Sequence, residues 1–232
     1  MFGAQILLWL TAFCAFDTAF TALQLEGVYY LIHSLHNGIM VYATYGEVVR
    51  TLTDFGSVLV APTNYFAAEL CFGLHLYHIV YYWRKFRFDD WLHHVLMIGI
   101  ALPIGINLPA GTMLGFSLFF TTGLPGGIDY FCLFLNRNNW MKRDTQKRIN
   151  TFLATWVRSP GCAAQAALTC ALISIRPPFM TQNISYLPIL VYLSAALNYW
   201  NGQYFAAQVI YDAGVRQLWS PAGLPQTNRA SV

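Results

Sequence analysis

The stretch Trp83–Leu96, WRKFRFDDWLHHVL, decides how the chain is interpreted. A basic and aromatic turn meets the acidic pair Asp89 and Asp90, and two adjacent histidines, His93 and His94, then begin a long apolar segment. Inside a membrane an ionisable side chain is costly and commonly has a function. The stretch therefore predicts a cytoplasmic turn between two membrane helices, with a polar site just inside the second helix.

The composition is typical of an integral membrane protein. Of 232 residues, 56% are hydrophobic and only 10% are charged, whereas a soluble domain carries roughly a quarter charged residues. This length has room for about seven spans of ~20 residues and short loops. The few basic residues lie at helix ends, so we expect no nucleic-acid partner. Five cysteines lie in apolar runs without metal-ligand spacing, and we predict no metal site from them.

Seven apolar segments predict an all-α bundle, because lipid offers the backbone no hydrogen-bond partners. The segments cover residues 2–23, 28–48, 65–82, 92–106, 113–135, 160–175 and 187–211. We expect an extra N-terminal transmembrane helix in residues 1–26, the main bundle in residues 27–215 and a mobile tail in residues 216–232.

The distribution of Lys and Arg predicts the orientation in the membrane. Basic residues concentrate in the turn after the third segment and in the loop after the fifth, whereas the opposite loops hold only Arg50 and Arg176. By the positive-inside rule the C-terminus is then cytoplasmic and the N-terminus is lumenal or outside. The sequon Asn183-Ile184-Ser185 would lie on the lumenal side, where a glycan can be attached.

Two segments are predicted to be irregular. Residues 121–127, TTGLPGG, interrupt the fifth segment, and such a break is tolerated where it lines a cavity or is a simple proline kink. Residues 145–158 alternate apolar and polar side chains at helical spacing, so we expect them to lie along the cytoplasmic interface before Pro160 begins the sixth span.

All six histidines fall in three consecutive segments, at His33, His36, His75, His78, His93 and His94. Counting ~1.5 Å per residue from the cytoplasmic ends places them in one layer roughly 5 to 14 Å deep, together with Asp129. Residues three apart share a helix face, but adjacent residues differ in direction by about 100°. We therefore expect a polar cavity open to the cytoplasm, with one of His93 and His94 facing the site and the other facing a neighbouring helix or the interface.

Three chemistries suit such a layer. A histidine near a carboxylate can act as general base toward a hydroxyl or amine, clustered imidazoles can bind zinc or iron, and facing imidazoles can hold a haem. The spacing lacks the carboxylates of di-iron bundles, and the seventh segment has no lysine for a retinal Schiff base.

The double histidine after an acidic and aromatic turn resembles the TLC-domain proteins, which include the ceramide synthases. The histidine-bearing second segment and Tyr65, Phe66 and Glu69 in the third segment are similar to that family as well. The resemblance covers residues 29–211. It implies six or seven helices around a central, lipid-sized cavity, usually in the endoplasmic reticulum.

In the synthases a histidine activates the acceptor in an N-acylation that uses acyl-CoA, and His93 and His94 match the paired histidines. The chain differs where the synthases carry His-Asp-x-x-Asp, since it has Gly127-Ile128-Asp129-Tyr130 there. The resemblance therefore implies the fold more directly than ceramide synthesis.

Two functions follow as hypotheses. In the first, a lipid or acyl chain occupies the cavity, which is lined by the other four histidines, Glu69 and Asp90, and no cofactor is needed. If the protein is an enzyme, we expect lipid or acyl transfer, with acyl-CoA as possible substrate, His93 or His94 as base and Asp129 as the orienting carboxylate. In the second, the protein is a non-catalytic accessory subunit of a larger membrane complex.

Overall fold

Residues 2–58, 60–107, 110–175 and 187–218 are described by the computed structural model of the chain. These residues form helices and turns, with no strand among them, which confirms the all-α prediction for this part of the chain. Each predicted apolar segment corresponds to one continuous helix.

The described residues form seven helices, which are numbered in chain order. They are α1 (Phe2–Ala22), α2 (Val28–Thr53), α3 (Tyr65–Tyr82), α4 (residues 88–107), α5 (Met113–Arg137), α6 (residues 143–175) and α7 (Leu187–Leu218). Short 3₁₀ turns at Phe55–Ser57 and Trp83–Lys85 follow α2 and α3.

Three helices contain a π-helical turn. These turns are Met97–Ala101 in α4, Phe119–Gly123 in α5 and Ala154–Arg158 in α6. A π turn inserts one extra residue per turn and is frequent at functional sites. The irregularity predicted at residues 121–127 is present as the turn in α5, but the helix continues through it.

The expectation that Pro160 starts a new helix is wrong. Residues 143–175 form one helix, and the π turn joins its two parts without a break. Pro160 lies in the turn that follows, where the i−4 hydrogen bonds are already rearranged by the π turn, so the missing N–H of proline is tolerated.

The main core lies where α1 and α2 meet α3. Its buried side chains include Phe13, Ile32, Met40, Leu70 and Tyr77. Helix α1 is fastened to α3 by Asp17, which is only 5% exposed and accepts hydrogen bonds from the hydroxyls of Tyr77 and Tyr82. The N-terminal helix, predicted as an extra span, therefore contributes to the same core as the main bundle.

Glycines allow two helix pairs to approach closely. A Cβ on Gly73 in α3 would lie 2.5 Å from Cβ of Trp9 in α1, and one on Gly202 in α7 would lie 2.6 Å from Cβ of Cys162 in α6. In membranes the hydrophobic effect does not drive helices together, and small residues at the contacts commonly allow the helix backbones to pack closely.

By length and composition, two helices among the described residues could cross a membrane, namely Gly3–Ala22 and Met113–Arg137. The count of seven spans stays a prediction. The sequon at residues 183–185 and the tail beyond residue 218 lie outside the described residues, and α7 continues past the predicted boundary at residue 215.

We expect Gly202→Ala to destabilise the protein, because the new methyl group overlaps Cys162 and overpacking typically costs about 1–3 kcal/mol. Thermal unfolding in detergent measures the effect. Gly214→Ala is the matched control on the same helix, since nothing lies within 4 Å of its Cβ position. Equal stability of the two variants would contradict the close packing of α6 and α7.

Candidate functional site

Five histidines from three helices line one cavity of about 1150 Å³. They are His33 of α2, His75 and His78 of α3, and His93 and His94 of α4. Drug-sized ligand pockets commonly have volumes of ~300–1,000 Å³, so this cavity is large enough for a long ligand. The imidazoles occupy one part of its wall.

The histidines of α3 and α4 are paired. The Nε2 atoms of His75 and His93 are 3.2 Å apart, and Nδ1 of His78 is 3.2 Å from Nε2 of His94. Because α3 presents its two rings one turn apart, each of the adjacent histidines of α4 reaches its own partner. The expectation that only one of His93 and His94 faces the site is therefore wrong, since both line the cavity.

Backbone carbonyls fix three of the rings. Nδ1 of His33 lies 2.6 Å from the carbonyl oxygen of Tyr29. Nδ1 of His75 lies 2.8 Å from the carbonyl oxygen of Cys71, and Nδ1 of His94 lies 2.7 Å from that of Asp90. A carbonyl oxygen only accepts, so each Nδ1 carries the proton and each Nε2 is left as an acceptor.

With these tautomers both histidine pairs can form their hydrogen bond while all four rings are neutral. Nε2–H of His93 donates to His75, and Nδ1–H of His78 donates to His94. Nε2 of His78 is then an acceptor, and it is buried without a hydrogen-bond partner among the described residues. The ring of His78 stacks on His33 with centroids 4.3 Å apart and planes 13° from parallel.

The acidic pair lies at one end of the cavity. Asp89 and Asp90 are exposed and line it. A side-chain oxygen of Asp90 accepts from the backbone N–H of Arg87 at 2.9 Å, which caps the start of α4 and places His93 and His94 in its first two turns. The histidine end of the cavity is therefore next to the turn that follows α3.

Arg158 is a cavity residue that the sequence did not indicate. It ends the π turn of α6, and its guanidinium carbon lies 5.2 Å from the ring centroid of Phe205 in α7. Its Nε is buried without a hydrogen-bond partner, and no carboxylate oxygen among the described residues is within 4.0 Å of it. A cation held in this way is available to an anionic ligand group.

Three predicted site residues are not among the described residues that line the cavity. Asp129 accepts a hydrogen bond of 2.7 Å from Nε2 of the buried Gln146, and no hydrogen bond joins it to His93 or His94 in the described part of the chain. His36 lies 2.8 Å from the amide oxygen of Asn37, and Glu69 is 7% exposed on α3.

Polar side chains of α6 and α7 form a second part of the wall. Gln165, Thr169, Ser194, Asn198 and Asn201 line the cavity. The i,i+4 spacing of Gln165 and Thr169 within an apolar segment was a usable sequence signal, since residues four apart share a helix face.

Comparison with known proteins finds no match to a family model, a curated protein or a solved structure. The resemblance to TLC-domain proteins therefore stays a prediction. Among the described residues no group of three or more His, Cys, Asp or Glu side chains is arranged to hold a metal ion.

A double-mutant cycle tests the pairing of His75 with His93. We expect His75→Ala and His93→Ala to be non-additive by roughly 0.5–1.5 kcal/mol in free energy of unfolding, because each single change already removes the shared hydrogen bond. His36→Ala with His93→Ala is the control cycle and should be additive. Additivity in both cycles would contradict the pairing.

Proposed function

We propose that the protein is a multi-pass membrane protein that holds a lipid or acyl chain in the histidine-lined cavity. The observation that carries the proposal is the cavity itself, which combines five imidazoles and Arg158 with a long apolar wall. The apolar wall includes Leu74, Leu102, Leu114, Leu118 and Leu172.

The membrane location is supported by the composition and by the outer surface. Large apolar side chains face outward on most helices, among them Leu7 (61% exposed), Tyr42 (88%) and Phe88 (78%). Apolar surface on this scale is unusual for a soluble monomer and suits contact with lipid. We expect the endoplasmic reticulum as the organelle, on the resemblance alone.

The two chemical parts of the wall suggest how an amphiphile lies in the cavity. A carboxylate or phosphate head is attracted to Arg158, which faces no carboxylate at contact distance among the described residues. The imidazoles beside it supply neutral donors and acceptors, and the leucines take the hydrocarbon chain.

If the protein is an enzyme, the same arrangement suits acyl transfer. His93 or His94 would take the proton of an acceptor hydroxyl or amine as that group attacks a thioester carbonyl, and the thiol leaves. The carbonyl of Asp90 fixes the ring of His94 with Nε2 as its basic atom, and this atom would have to leave the hydrogen bond from His78 before it took a proton. The predicted partnership with Asp129 would need that carboxylate to leave Gln146.

Blocking the cavity tests lipid binding. We expect Ser194→Trp to reduce the lipid that co-purifies with the protein, because Ser194 lines the cavity and an indole would fill it. Native mass spectrometry or extraction with lipid analysis measures the amount bound. The control is Ala196→Trp, which is two residues away on the same helix and exposed. An equal lipid content in wild type and both variants would contradict the proposal.

Replacing the candidate bases tests catalysis separately. We expect His93→Ala and His94→Ala to change the cellular lipid profile if transfer occurs, with a loss of rate of at least ~10²-fold, the usual contribution of a general base. His36→Ala is the control, since His36 does not line the cavity. Unchanged lipids with normally folded variants would leave binding as the function and exclude transfer by these bases.

A non-catalytic accessory role is the second candidate. It is favoured by two exposed tryptophans on the side of the fold predicted to be cytoplasmic, Trp140 (66% exposed) and Trp156 (70%), because aromatic residues are enriched in protein interfaces. Stoichiometric co-purification with another membrane complex in mild detergent would support this role. The same tryptophans also suit the membrane interface, so their exposure alone does not require a protein partner. Purification without any co-purifying complex would contradict the accessory role.

A further inference from the structure

A network of amide side chains lies in the cavity wall between α6 and α7. Nδ2 of Asn198 donates to Oε1 of Gln165 at 2.5 Å, and Nε2 of Gln165 donates to the hydroxyl of Thr169 at 3.0 Å. All three side chains are buried, with exposed fractions of 7%, 4% and 7%. The close approach of the helices at Gly202 makes the short contact between the amides possible.

The network is incomplete. Oδ1 of Asn198 is buried without a hydrogen-bond partner among the described residues, and so is Oδ1 of Asn201 one turn further along α7. Both residues line the cavity. Leaving such a group unsatisfied typically costs about 1–3 kcal/mol, so a ligand group in the cavity that hydrogen-bonds to either oxygen would recover this cost.

The missing partner can be identified chemically. In the arrangement described, the unpartnered atom of Asn198 is the oxygen Oδ1, which is an acceptor. If the side-chain amides of Gln165 and Asn198 are both rotated by 180°, Gln165 donates to Asn198 and the unpartnered atom of Asn198 becomes the N–H donor. A hydroxyl group both donates and accepts, so it completes the network in either arrangement. Neither a carboxylate nor an ammonium group does so.

The distance between Arg158 and the Gln165–Asn198 contact can be obtained along either of the two helices. Arg158 and Gln165 are seven residues apart on α6, and Phe205 and Asn198 are seven residues apart on α7. Because Arg158 lies against Phe205 and Gln165 against Asn198, the two polar positions are separated by about 10 Å along the helices. An extended hydrocarbon with C–C bonds of about 1.5 Å advances roughly 1.25 Å per bond, so this separation matches roughly eight bonds.

We propose that the Gln165–Asn198 network binds a hydroxyl group within the acyl chain of the ligand, so that the preferred lipid is a fatty acyl compound hydroxylated near the middle of its chain. This inference rests on the proposed lipid-binding function and adds the class of lipid to it. The carboxyl end lies at Arg158, and the hydroxyl lies between the amides of α6 and α7. A chain without the hydroxyl binds more weakly, since it leaves Asn198 unsatisfied or displaces water from it.

The test compares stearic acid with stearic acid hydroxylated near its middle, by competition against a fluorescent fatty acid on the purified full chain. We expect wild type to bind the hydroxylated acid roughly three- to tenfold more tightly, the usual range for one net hydrogen bond. The double variant Gln165→Leu/Asn198→Leu should bind both acids equally. Gln5→Leu is the matched control, because it makes the same change at an exposed position of α1 that does not line the cavity, and it should keep the preference.

A positional series on wild type needs no variant. Affinity should be highest when the hydroxyl is near the middle of the chain and should fall when it is moved next to the carboxyl or to the methyl end. Equal affinity for all positions, or a preference that survives in the double variant, would overturn the hydroxyl site while leaving lipid binding intact. If neither acid binds wild type, both this inference and the lipid-binding function are wrong.

Discussion

The structure depends on the need of every polar group in an apolar interior to find a partner. Fifteen polar or charged residues are buried among the described residues, and most of them hydrogen-bond to another side chain or to the backbone. His33, His75 and His94 each give Nδ1–H to the carbonyl four residues earlier on their own helix. This local bond sets the tautomer, turns Nε2 away from the helix, and so determines which ring can pair with which.

The same constraint explains how the helices are held around the cavity. Asp17 binds the hydroxyls of Tyr77 and Tyr82 and fastens α1 to α3, while the histidine pairs fasten α3 to α4. On the other side, Gln165 and Asn198 join α6 to α7. Each contact is a polar bond across an otherwise apolar seam, so it specifies register where apolar packing alone would allow sliding.

Much of the fold was predictable, because hydropathy and helical period are local properties. The seven helices, the basic turn and the gathering of histidines from three successive helices follow from counting residues along the chain. The contacts across the cavity do not. Asp129 was predicted beside the histidines from its depth, but its rotation about α5 directs it to Gln146, and the π turn in α5 makes rotation uncertain from sequence. Arg158 was missed for the same reason, since it ends a π turn in a segment that was predicted to lie along the interface.

A density map of the purified protein in a lipid nanodisc tests the central claim most directly. The account predicts that the rings of His33, His75, His78, His93 and His94 face one enclosed space, and that an elongated density of non-protein origin runs from Arg158 past Asn198 between the apolar walls. Rings that point outward to the bilayer, or a space that is filled by protein side chains, would contradict it.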